Sequence, residues 1–222
     1  LGPLLARFKE ATISLPGGCA IGTRPIDIHL DSLSKLGVKF QIENGYVRGV
    51  VKGDLIGAII NLPFPSVGAT ENIIMAASLA RGITLINNAA KEPEIIDLAK
   101  ALNSMGAKIS FSGGDCIKVE GVNSLKEAEH TIMFDRIVAG TYILAGVMLN
   151  KKFTINNIDP ILLKSLTDTL KRMKANLDIQ ENYVTTLPSK EIIGTDIETA
   201  PYPGFPTDLQ AQIMSLMCIA NG

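Results

Sequence analysis

Apolar positions along the chain fall into two kinds of segment. Short stretches alternate apolar and polar residues with period two, the mark of half-buried strands. Other stretches are apolar nearly all round, as in Ile73-Ile74-Met75-Ala76-Ala77 and Ile143-Leu144-Ala145-Gly146-Val147-Met148. Helices of that kind belong in an interior rather than on a surface. The pattern predicts strands at residues 11–15, 84–87 and 153–156, each leading through a loop into a helix. Those helices end near Leu36, Met105 and Met173; Gly37 and Gly106 follow two of them, where a left-handed residue stops a helix. Alternating segments come next, with Val38, Phe40 and Ile42 on one face, then Ile109 and Phe111, then Leu177 and Ile179. Asn44-Gly45 is a strong hairpin signal, and Gly113-Gly114-Asp115 stands at the matching place further on. A further strand is predicted at residues 55–62, and interior helices at 71–80, 137–149 and 209–220.

The same order recurs. Leu36-Gly37-Val38-Lys39 returns as Met105-Gly106-Ala107-Lys108 and more weakly as Met173-Lys174-Ala175-Asn176, each step being about seventy residues. Thr84-Leu85-Ile86-Asn87-Asn88 returns as Thr154-Ile155-Asn156-Asn157 with the same step, and Thr12-Ile13-Ser14-Leu15 holds that phase near the start. About three repeats are therefore expected, an α/β architecture with sheets outside and helices inside.

Composition narrows the classes of function. A hydrophobic fraction of 46% and a charged fraction of 19% suit a well-filled core, and no apolar run approaches a membrane span. A net charge of −1 gives no reason to expect nucleic acid or an anionic membrane as partner. Cys19, Cys116 and Cys218 are an odd number without a C-x-x-C pair, which points to a reducing compartment and away from a disulfide framework or a zinc site. A cytoplasmic location, with no metal and no organic cofactor, is expected. Leu1-Gly2-Pro3-Leu4-Leu5 carries neither an initiating Met nor a signal segment and reads as the interior of something longer.

Five stretches carry candidate chemistry. Pro16 to His29 packs the Cys19 thiol, the Arg24 guanidinium, the Asp27 carboxylate and the His29 imidazole into one glycine-rich loop and the helix after it. Arg24 is placed to lower the thiol's pKa or hold an anion, and Pro25 suits the first turn of that helix. In Pro63 to Thr70 two prolines hold the approach extended, and Ser66, Val67 and Gly68 present backbone N–H groups at a helix start, either an anion site or an ordinary cap. Glu92 and Glu94 flank Pro93, where negative charge complements a helix amino end. Asp135-Arg136 reads as either a site pair or a surface ion pair. Thr207-Asp208 ends a stiff loop of three prolines and a glycine and fits a helix cap.

Pro16-Gly17-Gly18-Cys19, with Ile21-Gly22, Arg24-Pro25, Asp27 and His29, closely resembles the active-site loop of the UDP-N-acetylglucosamine enolpyruvyl transferases. The stretches around Asp135 and Asp208 resemble that family too, so the likeness runs along the whole chain. It implies an inverse α/β barrel architecture, six βαβαββ repeats of about seventy residues in two domains of three, incomplete here. The boundary then falls near Met133, with residues 1–133 from the first domain and 134–222 from the second. The resemblance implies transfer of the enolpyruvyl group of phosphoenolpyruvate to the sugar 3′-hydroxyl of UDP-N-acetylglucosamine by an enzyme that is a monomer when complete. Cys19 is then the acid, and the target of an epoxide such as fosfomycin; Asp208 is the base and Arg24 a phosphate clamp. Cys116, in an alternating strand, and Cys218, in an apolar helix, are expected to be comparatively inert. Asp27 and His29 would line the uridine end, Ser66, Val67 and Gly68 the diphosphate, and Pro25, Ile26, Glu92, Arg136 and Thr207 would bind or lie near the substrate, with Cys19 and Asp208 meeting in an interdomain cleft. Two departures stand out: Phe64 where the family often has Lys, and Val138 where it usually has Glu. The rival readings are a 5-enolpyruvylshikimate-3-phosphate synthase, which shares fold and donor but lacks the Cys loop, and an inactive fragment serving as a structural or binding module.

Overall fold

The Asn44-Gly45 turn joins β2 (Val38–Glu43) to β3 (Tyr46–Val51), with Glu43 opposite Tyr46. Both turn residues have positive φ, 51° and 79°, as a two-residue hairpin needs for its twist to match the strands. The computed structural model describes residues 1–17 and 25–222. They form two compact units, Leu1–Thr131 and Ile132–Gly222.

In the first unit α1 (Gly2–Phe8) leads to β1 (Glu10–Ser14), and α2 (Asp27–Lys35) leads to the hairpin. The sheet order is β1-β3-β2, all antiparallel. β4 (Ile59–Asn61), α3 (Val67–Ala77), β5 (Ile83–Asn87), α4 (Pro93–Ser104), β6 (Lys108–Phe111) and β7 (Ile117–Glu120) make the next repeat, whose sheet runs β4-β5-β7-β6. Three of its strands repeat the order of the first sheet. β4 is the addition, and it pairs parallel with β5. The strand expected at 55–62 is thus only three residues long and joins the sheet of the following repeat. Ile56 makes an isolated bridge to Arg81, and Pro63 ends the pairing potential soon after Asn61.

α3 is the interior helix of this unit. Ala69, Thr70, Ile73, Ile74, Ala76 and Ala77 are buried along it. Ile73 and Ile74 are fully enclosed, and each such side chain contributes about 1.5–3 kcal/mol by leaving water. α1, α2 and α4 supply Leu5, Leu33, Leu36, Ile95 and Ala99 to the same core. Helix ends follow the expected chemistry, with φ of 100° at Gly37 and 98° at Gly106.

In the second unit α5 (Arg136–Met148), β8 (Phe153–Asn156), a 3-10 turn (Pro160–Leu163), α6 (Lys164–Arg172), β9 (Asn176–Ile179) and β10 (Tyr183–Leu187) restate the pattern in a sheet ordered β8-β10-β9. A 3-10 turn (Thr207–Leu209) then opens α7 (Gln210–Met217). Ile143, Leu166, Leu170, Val184 and Leu209 centre this core. α5 and α7 are less enclosed than their sequences suggest: Val138, Tyr142 and Leu149 of the α5 segment and Met214 of α7 are exposed. Each buries only the side that faces the elements of its own unit. Among the described residues no helix is long and apolar enough to cross a membrane.

Candidate functional site

The amino end of α3 is the most heavily built place in the first unit. Ser66 caps it: its backbone is extended, and its Oγ accepts from the Ala69 N–H at 3.3 Å. Thr70, fully buried, donates through Oγ1 to the Ser66 carbonyl at 2.7 Å and accepts the Ala90 N–H at 3.1 Å. One hydroxyl therefore ties the helix start to the loop that carries Glu92. The N–H groups of Val67 and Gly68 make no hydrogen bond among the described residues, as the first turn of a helix leaves them. With the helix dipole they suit an anion.

α2 brings a second candidate stretch to the same place. Ile26 is the N-cap and makes no side-chain cap bond, so Pro25 stands just before the N-cap rather than in the first turn of the helix. Asp27 adds a carboxylate to that first turn. The His29 ring lies over Gly68, where a Cβ would come within 3.3 Å of Cε1, and its Nδ1 lies 3.0 Å from Asn72 Nδ2. Burial pushes the imidazole pKa down, opposed by Asp27. His29 is thus held toward its neutral form.

The third stretch arrives through the loop before α4. Asn88, with φ of 55°, donates from Nδ2 to the Leu62 carbonyl at 2.9 Å. Glu92 is 6% exposed and is the N-cap of α4, with Pro93 in its first turn. Glu94 follows in that turn, and burial, then Glu94 itself, pushes the Glu71 carboxyl up. Pro25 to His29, Ser66 to Thr70 and Asn88 to Glu94 therefore adjoin one helix end, which offers two open amides, a neutral imidazole and a buried carboxylate. Cys19 and Arg24 lie outside the described residues.

In the second unit Asp135 caps α5, its Oδ1 accepting from Ile137 N–H at 2.8 Å and Val138 N–H at 2.9 Å. Arg136 is 9% exposed and packs its guanidinium over the Tyr202 ring at 5.8 Å. Thr207 and Asp208 lie inside the 3-10 turn, and Pro206 holds the N-cap place with no side-chain cap bond. The cap expected at Asp208 is absent. The turn begins one residue too early for its carboxylate to reach back. Asp208 is exposed and makes no side-chain hydrogen bond among the described residues.

Two thiol expectations change. Cys116 is partly buried in the turn before β7 rather than within a strand, and Cys218 is exposed at the C-cap of α7. Burial therefore does not protect Cys218. Neither Thr70 nor Asn72 is a sequence candidate in its own right; the available signal is the polar run Thr70-Glu71-Asn72 within an otherwise apolar interior helix.

The family model described as EPSP synthase (3-phosphoshikimate 1-carboxyvinyltransferase) matches residues 1–222. The chain is 51% identical over 221 residues to a UDP-N-acetylglucosamine 1-carboxyvinyltransferase of Pelagibacter ubique, covering all of this chain and 53% of that relative. It is 49% identical over 222 residues to UDP-N-acetylglucosamine 1-carboxyvinyltransferase 1 of Staphylococcus aureus, with the same coverage. The chain thus spans about half the length of the curated relatives it matches. In fold it is similar to the crystal structure of the enolpyruvyl transferase NikO from Streptomyces tendae, with a TM-score of 0.86 at 24% identity over 99% of this chain and 53% of that one. Matched along its whole length by that family model, the chain belongs to the EPSP synthase (3-phosphoshikimate 1-carboxyvinyltransferase) family.

Proposed function

We propose that this chain is part of an enzyme that transfers the enolpyruvyl group of phosphoenolpyruvate to the 3′-hydroxyl of UDP-N-acetylglucosamine. The observation that carries the reading is identity of about half, along the whole chain, with relatives named for that acceptor. The amino end of α3 supports it, since open amides and a neutral donor suit a diphosphate-linked sugar. Val67 and Gly68 take the diphosphate with Ser66 shaping the turn, Asp27 and His29 line the uridine end, and Pro25, Ile26, Glu92, Arg136 and Thr207 contact substrate. Phe64 leaves the diphosphate more dependent on backbone donors than a Lys there would.

The Cys19 thiol gives its proton to C3 of the enolpyruvyl group while the sugar 3′-oxygen, losing its proton to the Asp208 carboxylate, bonds to C2. Arg24 balances charge on the phosphate. The tetrahedral ketal then loses a proton from C3 and expels phosphate, restoring the double bond. The exposed carboxylate of Asp208, which the fold does not use, suits a base that must reach a substrate hydroxyl. The domains divide near Met133, and the catalytic step draws on a residue from each, Cys19 and Asp208. The enzyme is a cytoplasmic monomer serving peptidoglycan synthesis, and fosfomycin alkylates Cys19.

The test is phosphate release with phosphoenolpyruvate and either acceptor, using the chain alone and the chain joined to the flanks that complete the fold. Turnover is expected with UDP-N-acetylglucosamine when the flanks are present and not with the chain alone. Turnover with shikimate 3-phosphate in its place would overturn the acceptor assignment.

A further inference from the structure

We infer that Asn72 is a positioning residue that locks His29 in the neutral tautomer bearing its proton on Nε2. Gly2 N–H, in α1, donates to Asn72 Oδ1 at 2.8 Å. Only the carbonyl oxygen of an amide side chain can accept that bond, so the orientation of the amide follows. The contact has little room to slip: a Cβ at Gly2 would lie 2.3 Å from the Asn72 backbone carbonyl oxygen and 3.0 Å from its Oδ1.

With Oδ1 committed, the donor end of the amide faces the other way. Asn72 Nδ2 lies 3.0 Å from His29 Nδ1 and 3.4 Å from the Gly68 carbonyl. An NH2 group has only hydrogens to offer, so Nδ1 must present its lone pair and accept. A neutral imidazole accepting at Nδ1 carries its proton at Nε2, and an imidazolium would set N–H against N–H. Of the charged groups around the ring, Asp27 on its own helix favours the cation. Asn72 and Gly68, which α3 presents to the ring, are uncharged. Nε2 lies 3.6 Å from the Cβ position of Gly68, beside the open amides of α3.

The consequence rests on the proposed function: His29 adds a third uncharged donor beside the amino end of α3, so its contribution to an oxygen-rich ligand does not depend on its being charged. The tautomer itself is tested without any ligand. The chain has two histidines, so a long-range proton–nitrogen spectrum of the full chain labelled at histidine contains two imidazoles, and a His29→Gln variant assigns them. At about pH 8, above the ordinary imidazole range, His29 should show a pyrrole-like Nε2 and a pyridine-like Nδ1. Asn72→Asp places an acceptor where the donor was. It should move the proton to Nδ1 or raise the imidazole pKa by about one to three units. A wild-type spectrum with the proton on Nδ1 would overturn the inference, as would an Asn72→Asp spectrum unchanged from wild type. The wild-type spectrum decides alone if the variant does not fold. Because no substrate is present, this result stands apart from the fate of the proposed activity.

Discussion

The amino ends of α3 and α7 look alike in sequence, each a proline-rich approach and a hydroxyl residue before an apolar helix, yet they are built in opposite ways. At α3 nearly every polar side chain is committed to the protein: Ser66 to its own helix, Thr70 to the loop before α4, Asn72 to both α1 and α2. At α7 Pro206 opens a 3-10 turn and leaves the Asp208 carboxylate exposed, without a hydrogen bond among the described residues. The first end is a rigid mould whose open backbone amides are its offering. The second holds one exposed carboxylate that the fold does not need. Stability and activity should therefore separate between them.

The largest separation is expected at Asp208. In a protein completed by its flanks, Asp208→Asn should lower turnover by about 10²–10⁴-fold while stability stays within about 0.5 kcal/mol of wild type. Since Asp208 caps nothing, a loss of turnover cannot be blamed on a loosened helix. Parallel denaturant unfolding and phosphate release check it, and near-normal turnover would return the base to another residue.

Thr70→Val should do the reverse. It keeps the shape but leaves the buried Ala90 N–H without its acceptor, costing about 1–3 kcal/mol. Urea unfolding measures this, and a neutral result would show that the loop finds another acceptor. A smaller contrast lies within the second unit. Asp135→Ala removes a cap bonded to two amides and should cost about 0.5–2 kcal/mol, whereas Asp208→Ala should cost less than about 0.5 kcal/mol. Equal costs would collapse the distinction between the two carboxylates.

The smallest effect concerns Glu71. Its carboxyl is pushed up by burial and then by Glu94, so the folded state favours its protonated form. A raised folded pKa means stability that is present below the unfolded value and lost as pH rises through the folded one. Glu71→Gln should therefore raise the melting temperature at pH 7, and its advantage should vanish below about pH 4. An advantage that persists in acid would assign the effect to packing instead.

Much of the fold was written locally. Asn44-Gly45 dictates its own turn, and Gly37 and Gly106 mark helix stops because left-handed backbone favours glycine. Lys174 makes the third stop with φ of 62°, which no local signal announces. The strand at residues 55–62 was set too long because what limits it is pairing with β5, in the next repeat. Pro-Thr-Asp is an ordinary cap spelling, and only the 3-10 start places Asp208 inside the turn. The link between His29 and Asn72 joins residues 43 apart through the packing of α2 on α3, beyond the reach of spacing rules.

The central claim, that the amino end of α3 receives the diphosphate of a nucleotide sugar, is most directly tested by titrating UDP-N-acetylglucosamine into the isotope-labelled chain and following backbone amides. The account predicts that Val67 and Gly68 N–H signals and the His29 ring shift together, with the carboxy-terminal unit's groove at Asp168, Arg172 and Asp196 unchanged. Shifts confined to that groove, or none near α3 at millimolar ligand, would contradict it.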